Sequence, residues 1–337
     1  MKQFTESILQ WYAEQGRDLP WRNTRDPYAI WLSEVILQQT RIEQGRAYWE
    51  RFMERFPKVE DLAAASEDEV LRLWQGLGYY SRARNLHAAA QQIVTQGVFP
   101  NTFERIKALK GVGDYTAAAI ASFAFDESRA VLDGNVFRVL ARHEGIDIPI
   151  DTTQGKHLFA ALAQEMLPEG RAADYNQGIM DFGALMCTPH APHCSDCPLQ
   201  ETCVAFREKR VQELPVKSKR LVQRERHFTY LYLRWQGNVA LHRRTSGDIW
   251  QGLWEPLLIE NAPLPNIKGR WTLVQQQMKH VLTHQIIYAD MYLVEQESDT
   301  AAPLLPPDYC WIPEENIGQY ALPRLVERLL TSLTANR

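Results

Sequence analysis

The chain has 337 residues, 45% of them apolar and 23% charged, enough for about two globular domains at roughly 150 residues each. No stretch approaches the ~20 apolar residues of a membrane span, and the start MKQFTESILQWYAEQ carries acids and amides where a signal peptide has an apolar run, so a cytoplasmic setting is expected and a membrane partner is not. Net charge is −4, with 23 Lys and Arg against 29 Asp and Glu in residues 1–215, so a nucleic-acid partner has to be held by local geometry rather than by bulk charge.

Residues 1–215 read as helix after helix. Phe4, Ile8, Leu9, Trp11 and Tyr12 fall at helical spacing. Pro27 suits the first turn of a helix through YAIWLSEVILQQT. Ser66 and Glu69 form a capping box before VLRLWQGL, and Gly97 stops the helix of HAAAQQIVTQ. Further helical patterns cover 102–109, 114–125, 134–143, 155–167 and 171–186. The character changes after Pro215. KSKRLVQRER carries five basic residues and one acid and reads as an exposed connector, placed at 216–226. Beyond it FTYLYLRW, VALHR and QIIYADMYLV are strand-like, separated by the Pro-rich breaks APLPN and APLLPPD. A small α+β domain is predicted over 227–337, after a mostly α region.

Four features carry chemistry. Glu34 lies in IWLSEVILQQT, an almost wholly apolar helix, so its carboxyl should be desolvated and its pKa raised. LKGVGDYTA at 109–117 places Gly111 and Gly113 between two helical stretches. Such a turn permits close backbone approach, and the helix after it points free N–H groups outward, an arrangement suited to a DNA phosphate. Asp133 in VLDGNVFRVL opens a helix as its N-cap, a role compatible with catalysis. Finally Cys187, Cys194, Cys197 and Cys203 form C-x6-C-x2-C-x5-C. Four thiolates that near in sequence suit an iron–sulfur cluster or zinc, and the spacing alone leaves both open. Cys310 stands apart as a packed free thiol. With no secretion signal, the five cysteines do not read as a disulfide framework.

Taken together, LPW at 19–21, WLSEVILQQT at 31–40, GLGYYSRARNLH at 76–87, LKGVGDYTA, LDGNVFRVL, the cysteine spacing and GLWE at 252–255 resemble the MutY-type adenine DNA glycosylases, within the endonuclease III superfamily of helix-hairpin-helix glycosylases. The resemblance spans nearly the whole chain. It implies a helical glycosylase region over 1–215, with the hairpin at about 102–125 and an iron–sulfur loop at 187–203, a linker at 216–226, and a Nudix-like domain over 227–337. It favours a [4Fe–4S] cluster over zinc. It implies that Glu34 is the catalytic acid, that Asp133 stabilises the cationic sugar, and that Asn135 supports that site. Tyr115 stands where lyase-competent relatives carry a Schiff-base lysine, which implies base removal without efficient strand cleavage. Trp21, Arg22 and Gln177 fall where the family lines its adenine pocket. Gln38, Gln39 and Tyr79 fall where it probes or wedges the duplex. The implied partner is double-stranded DNA bearing A·8-oxoguanine or A·G mispairs, met by a monomer.

GLWE resembles part of the Nudix fold, yet the glutamate-rich, metal-binding helix of Nudix hydrolases does not follow it; PLLIENAPLPN does. Pyrophosphate hydrolysis is therefore not expected. The family recognises 8-oxoguanine through a loop written Phe-Ser-His, for which this chain has Leu282-Thr283-His284. Thr283 keeps a hydroxyl, while Leu282 gives up the aromatic ring. Two other functions compete. An endonuclease III-like glycosylase/lyase is disfavoured by Tyr115 and by the C-terminal domain. A non-catalytic iron–sulfur DNA-binding module predicts a broken carboxylate pair, and both Glu34 and Asp133 are present.

Overall fold

The computed structural model describes residues 2–218, 223–296 and 302–335. Four connector residues, 219–222, thus lie outside the described residues. The chain divides into two compact units: Met1–Ala63 with Ala88–Arg220, and Ala64–His87 with Leu221–Arg337.

Helices build the first unit: α1 (Lys2–Gln15), α2 (Pro27–Leu37), α3 (Ile42–Arg55) and α4 (Val59–Ala64), then, after α5 (Glu67–Trp74), α6 (Ser81–Gln96), α7 (Phe103–Lys107), α8 (Asp114–Phe125), α9 (Gly134–Glu144), α10 (Thr153–Glu165), α11 (Ala172–Leu185) and α12 (Val204–Arg207). In α2 the Asp26 side chain accepts from the Tyr28 N–H and Pro27 occupies the first turn, where a missing N–H costs nothing. Every residue from Tyr28 to Ile36 is buried, so this helix is covered all round rather than amphipathic. The alanines of α8 let it pack closely on α2. Around α11 stand α1, α8 and α9, and its glycines set the approach. A Cβ on Gly183 would lie 2.6 Å from the Cβ of Asn135 on α9, so only glycine fits that crossing.

The second unit is a mixed seven-stranded sheet: β1 (Arg224–Trp235), β2 (Asn238–Arg243), β3 (Trp254–Glu255), β4 (Leu257–Ile259), β5 (Arg270–Val281), β6 (Gln285–Glu295) and β7 (Tyr309–Pro313). The order is β3-β2-β1-β6-β5, with β4 on β1 and β7 on β2. Among the described residues only β1 and β6 run parallel, from Arg224↔Gln285 to Arg234↔Glu295. Side chains alternate between faces. Phe228, Tyr230, Tyr232, Ile287, Ala289 and Met291 form one core with Leu325, Val326 and Leu329 of α13 (Arg324–Ala335). Leu231, Leu233, Ala240, Leu257 and Val294 form another on the opposite face.

Ala64–His87 lies in the stretch that sequence assigns to the region 1–215, yet it packs with the C-terminal residues. The reason is visible in α5. Its Val70, Leu71 and Trp74 are fully buried, and Leu71 lies against Gly252. Arg243 pairs with Glu67 and Asp68, and the Arg84 guanidinium donates to the Gln251 carbonyl. Ser66 caps α5 by accepting from the Glu69 N–H.

Candidate active site

The first unit contains a cavity of about 460 Å3. Trp21, Arg22, Glu34, Tyr115, Asp133, Asn135 and Gln177 all line it, so seven residues singled out from sequence converge although they come from five separate segments. Glu34 is only 7% exposed. Burial pushes its carboxyl up to about 7, with Asp133 adding to the rise while the hydrogen bond from Tyr115 and the charge of Arg22 oppose it. The Tyr115 hydroxyl donates to Glu34 Oε2 at 2.8 Å.

Asp133 caps α9. Its Oδ1 accepts from the backbone N–H groups of Asn135 at 2.9 Å and Val136 at 2.8 Å, and its Oδ2 accepts from Asn135 Nδ2 at 2.7 Å. Burial raises its pKa, against the pull of those three donors and of Arg138. Arg138 continues the chain of contacts. It donates to Asn135 Oδ1 at 2.9 Å, to the Gly183 carbonyl at 2.6 Å and to the Cys187 carbonyl at 2.7 Å.

Sequence reasoning missed the carboxylate that holds Arg22 in the cavity wall. Asp181 is fully buried and takes Arg22 in a two-pronged pair, at 2.6 and 2.8 Å, while also accepting from Arg17. Burial alone would raise Asp181; the two guanidinium groups reverse that and hold it below its ordinary value. The available signal was its place four residues after Gln177 on α11, on the same helical face. Nothing in the sequence pointed to its partners.

The remaining predicted residues lie elsewhere. Gln38 and Gln39 follow the end of α2, where Gln38 donates to Thr116 Oγ1 and exposed Gln39 adopts φ 56°. Gly111 adopts φ 75° between α7 and α8, which explains a glycine there. Gly113 differs: it is extended, at φ −94° and ψ 179°, and caps α8 with open space where a side chain would stand. Asp114, the first residue of α8, pairs with Lys107 at 2.6 Å.

Tyr79, Thr283 and His284 belong to the second unit and line its cavity of about 640 Å3 together with Trp250 and Leu282. Thr283 and His284 form the tip between β5 and β6, closed by a Leu282 N–H bond to the Gln285 carbonyl. The Tyr79 and Thr283 hydroxyls are hydrogen-bonded. Residues 260–269, after GLWE and β4, hold no helix.

All four of Cys187, Cys194, Cys197 and Cys203 line one small cavity of about 30 Å3, walled by Met186, Pro192, Phe206 and Val211. None is in a disulfide. Arg142 Nη1 lies 3.4 Å from Cys187 Sγ. Among the described residues no three Cys, His, Asp or Glu side chains converge on one ion position; the thiols ring a space instead. Among the same residues no helix is long and apolar enough to cross a membrane.

Residues 32–165 match the HhH-GPD superfamily base excision DNA repair protein family, and residues 229–332 match the NUDIX domain. The adenine DNA glycosylase of Mus musculus is 46% identical over 220 residues, which cover 62% of this chain and 42% of the mouse protein. That of Buchnera aphidicola subsp. Acyrthosiphon pisum is 30% identical over 345 residues, covering 99% of this chain and 98% of the relative. Among solved structures, a thermostable thymine-DNA glycosylase is 31% identical with a TM-score of 0.57, over 61% of this chain and 96% of that one. The fold is thus a helical HhH-GPD region joined to a Nudix-like α+β domain with a mixed sheet. With end-to-end similarity added to both domain matches, the chain belongs to the adenine DNA glycosylase family.

Proposed function

We propose that the protein hydrolyses the N-glycosidic bond of adenine mispaired with 8-oxoguanine or guanine in double-stranded DNA. One observation carries the reading: Glu34, raised to about 7 by burial, shares a cavity with a second carboxylate, Asp133. Adenine leaves deoxyribose poorly until a ring nitrogen is protonated, and an acid with a pKa near neutrality is suited to deliver that proton. As the bond breaks, the sugar takes on oxocarbenium character. The three donors on Asp133 oppose the rise that burial causes and favour the ionised form, which offsets that charge. Asn135 fixes its orientation, and Tyr115 orients Glu34. Trp21, Arg22 and Gln177 wall the space for the extruded base, whose unpairing costs least at a mismatch.

In this reading residues 1–215 carry the chemistry, the stretch from 216 to the start of β1 links, and the sheet domain from β1 onward recognises the oxidised guanine through Thr283 and His284. Gln38, Gln39 and Tyr79 attend the opened duplex, and the Gly111–Gly113 turn meets a phosphate. Four thiols lining one cavity supply the soft sulfur donors that an iron–sulfur cluster or zinc takes, and membership of the adenine DNA glycosylase family favours [4Fe–4S]. Such a cluster, when bound, would cross-link the 187–203 loop. The Cys187 carbonyl at its edge accepts from Arg138, which reaches Asn135.

Glu34→Gln tests the assignment. It is expected to bind an A·8-oxoguanine duplex yet release adenine roughly a hundredfold or more slowly. Release at the unmodified rate rejects Glu34 as the acid. With Tyr115 at the hairpin, borohydride is expected to trap no covalent DNA adduct; a trapped adduct would favour the glycosylase/lyase alternative.

A further inference from the structure

Gln177 lies between two cavities. It lines the one containing Glu34 and also a neighbouring polar one of about 320 Å3, to which Tyr12 contributes. A side-chain amide so placed is ambiguous, because half a turn exchanges its donor and acceptor ends. One contact removes the ambiguity. The Tyr12 hydroxyl donates to Gln177 Oε1 at 2.5 Å, within the range of O–H···O bonds and short of N–H···O bonds. Tyr12 is itself held. At Gly178, α11 comes so close to α1 that an added Cβ would stand 3.0 Å from the Cβ of Tyr12. The Arg22 guanidinium sits 5.7 Å from the centre of the Tyr12 ring. Burial raises the phenol above its ordinary 10, so it keeps the proton it donates. Among the described residues nothing accepts from Gln177 Nε2.

We propose that Tyr12 is a positioning residue for base selection, fixing the polarity of the Gln177 amide so that it reads adenine. Held this way, the amide offers an N–H to a ring nitrogen and the second lone pair of Oε1 to an exocyclic amine. On the Watson–Crick edge of an extruded base adenine presents that acceptor–donor pair at N1 and N6, whereas guanine presents the reverse, a donor at N1 and an acceptor at O6, and N7 is left free to take a proton. A flipped amide reverses the order and mispairs with both adenine groups. The assignment rests on the adenine-release reading above and refines it.

The test uses the full chain carrying Glu34→Gln, with and without Tyr12→Phe. Each protein is titrated by fluorescence anisotropy with duplexes holding adenine, purine or 1-deazaadenine opposite 8-oxoguanine. With Tyr12 present, adenine is expected to bind roughly fivefold tighter than either analogue, the worth of about one neutral hydrogen bond. Tyr12→Phe is expected to shrink that margin below about twofold while affinity for the two analogues stays unchanged. Equal weakening of all three duplexes would mark a merely structural role and overturn the assignment, as would an undiminished margin. If the unmodified chain releases no adenine from A·8-oxoguanine DNA, the function itself fails and takes this inference with it, so the two failures are distinguishable.

Discussion

Glu34 has one physical property with two measurable consequences. Its carboxyl is held up at about 7 by burial, so the proton-donating form declines as pH rises through that value. Adenine release is therefore expected to fall about tenfold per unit above about pH 7, and single-turnover rates across pH 5–9 check it. The second consequence concerns stability. Folded Glu34 binds its proton more tightly than an unfolded glutamate at 4.5, so the folded state loses stability as pH rises from about 4.5 to about 7. Glu34→Gln removes that penalty. It is expected to stabilise the protein by about 3 kcal/mol at pH 8 and by almost nothing near pH 4, read from thermal unfolding. A uniform gain at both values would contradict the origin in proton linkage. The sequence carries this property openly, because a carboxylate inside WLSEVIL has nowhere wet to go. The Arg17–Asp181–Arg22 group is different. Each member is an ordinary charged residue in sequence, and only the fold gathers the two guanidinium groups around a buried carboxylate.

At the scale of elements, caps and periodicity are readable, while crossings are not. Asp26, Ser66 and Asp133 all cap the helices they precede, and β2 and β6 match VALHR and QIIYADMYLV to within a residue; β1 contains FTYLYLRW but starts at Arg224, inside the expected connector, because Arg226 is buried in ion pairs with Asp248 and Glu260. β5 has no such signature: RWTLVQQQMKHV alternates poorly and carries two register shifts against β6. The glycine at the α11–α9 crossing is equally silent in sequence, since its reason is a neighbour 48 residues away, Asn135. Gly183→Ala is expected to force those helices apart, costing roughly 1–3 kcal/mol of stability. Because Asn135 holds Asp133, release of adenine is expected to slow while DNA binding persists. Unfolding curves and rates measured together check both halves.

At the scale of the whole molecule, the chain is acidic, yet it is proposed to act on a polyanion. Backbone N–H groups at the Gly111–Gly113 turn displace few counterions, so the dependence of log Kd on log salt is expected to be shallow, with a slope of no more than about 4. A slope near ten would point to a basic surface that the fold does not suggest. Purified protein is expected to be brown, with about four irons per chain. Stripping the iron with chelator should lower the melting temperature and adenine release together, since loop 187–203 and Arg138 share the Cys187 carbonyl. Why Ala64–His87 joins the C-terminal unit is hidden from sequence, because nothing local distinguishes α5 from the helices around it.

The Lys107–Asp114 pair bears on how quickly such a protein finishes with its product. Asp114 sets a negative charge at the head of α8, beside the open space at Gly113, where an incoming phosphate would compete with it for Lys107. Asp114→Asn is therefore expected to lengthen the residence time on the abasic strand and depress multiple turnover, while a single round of excision proceeds undisturbed.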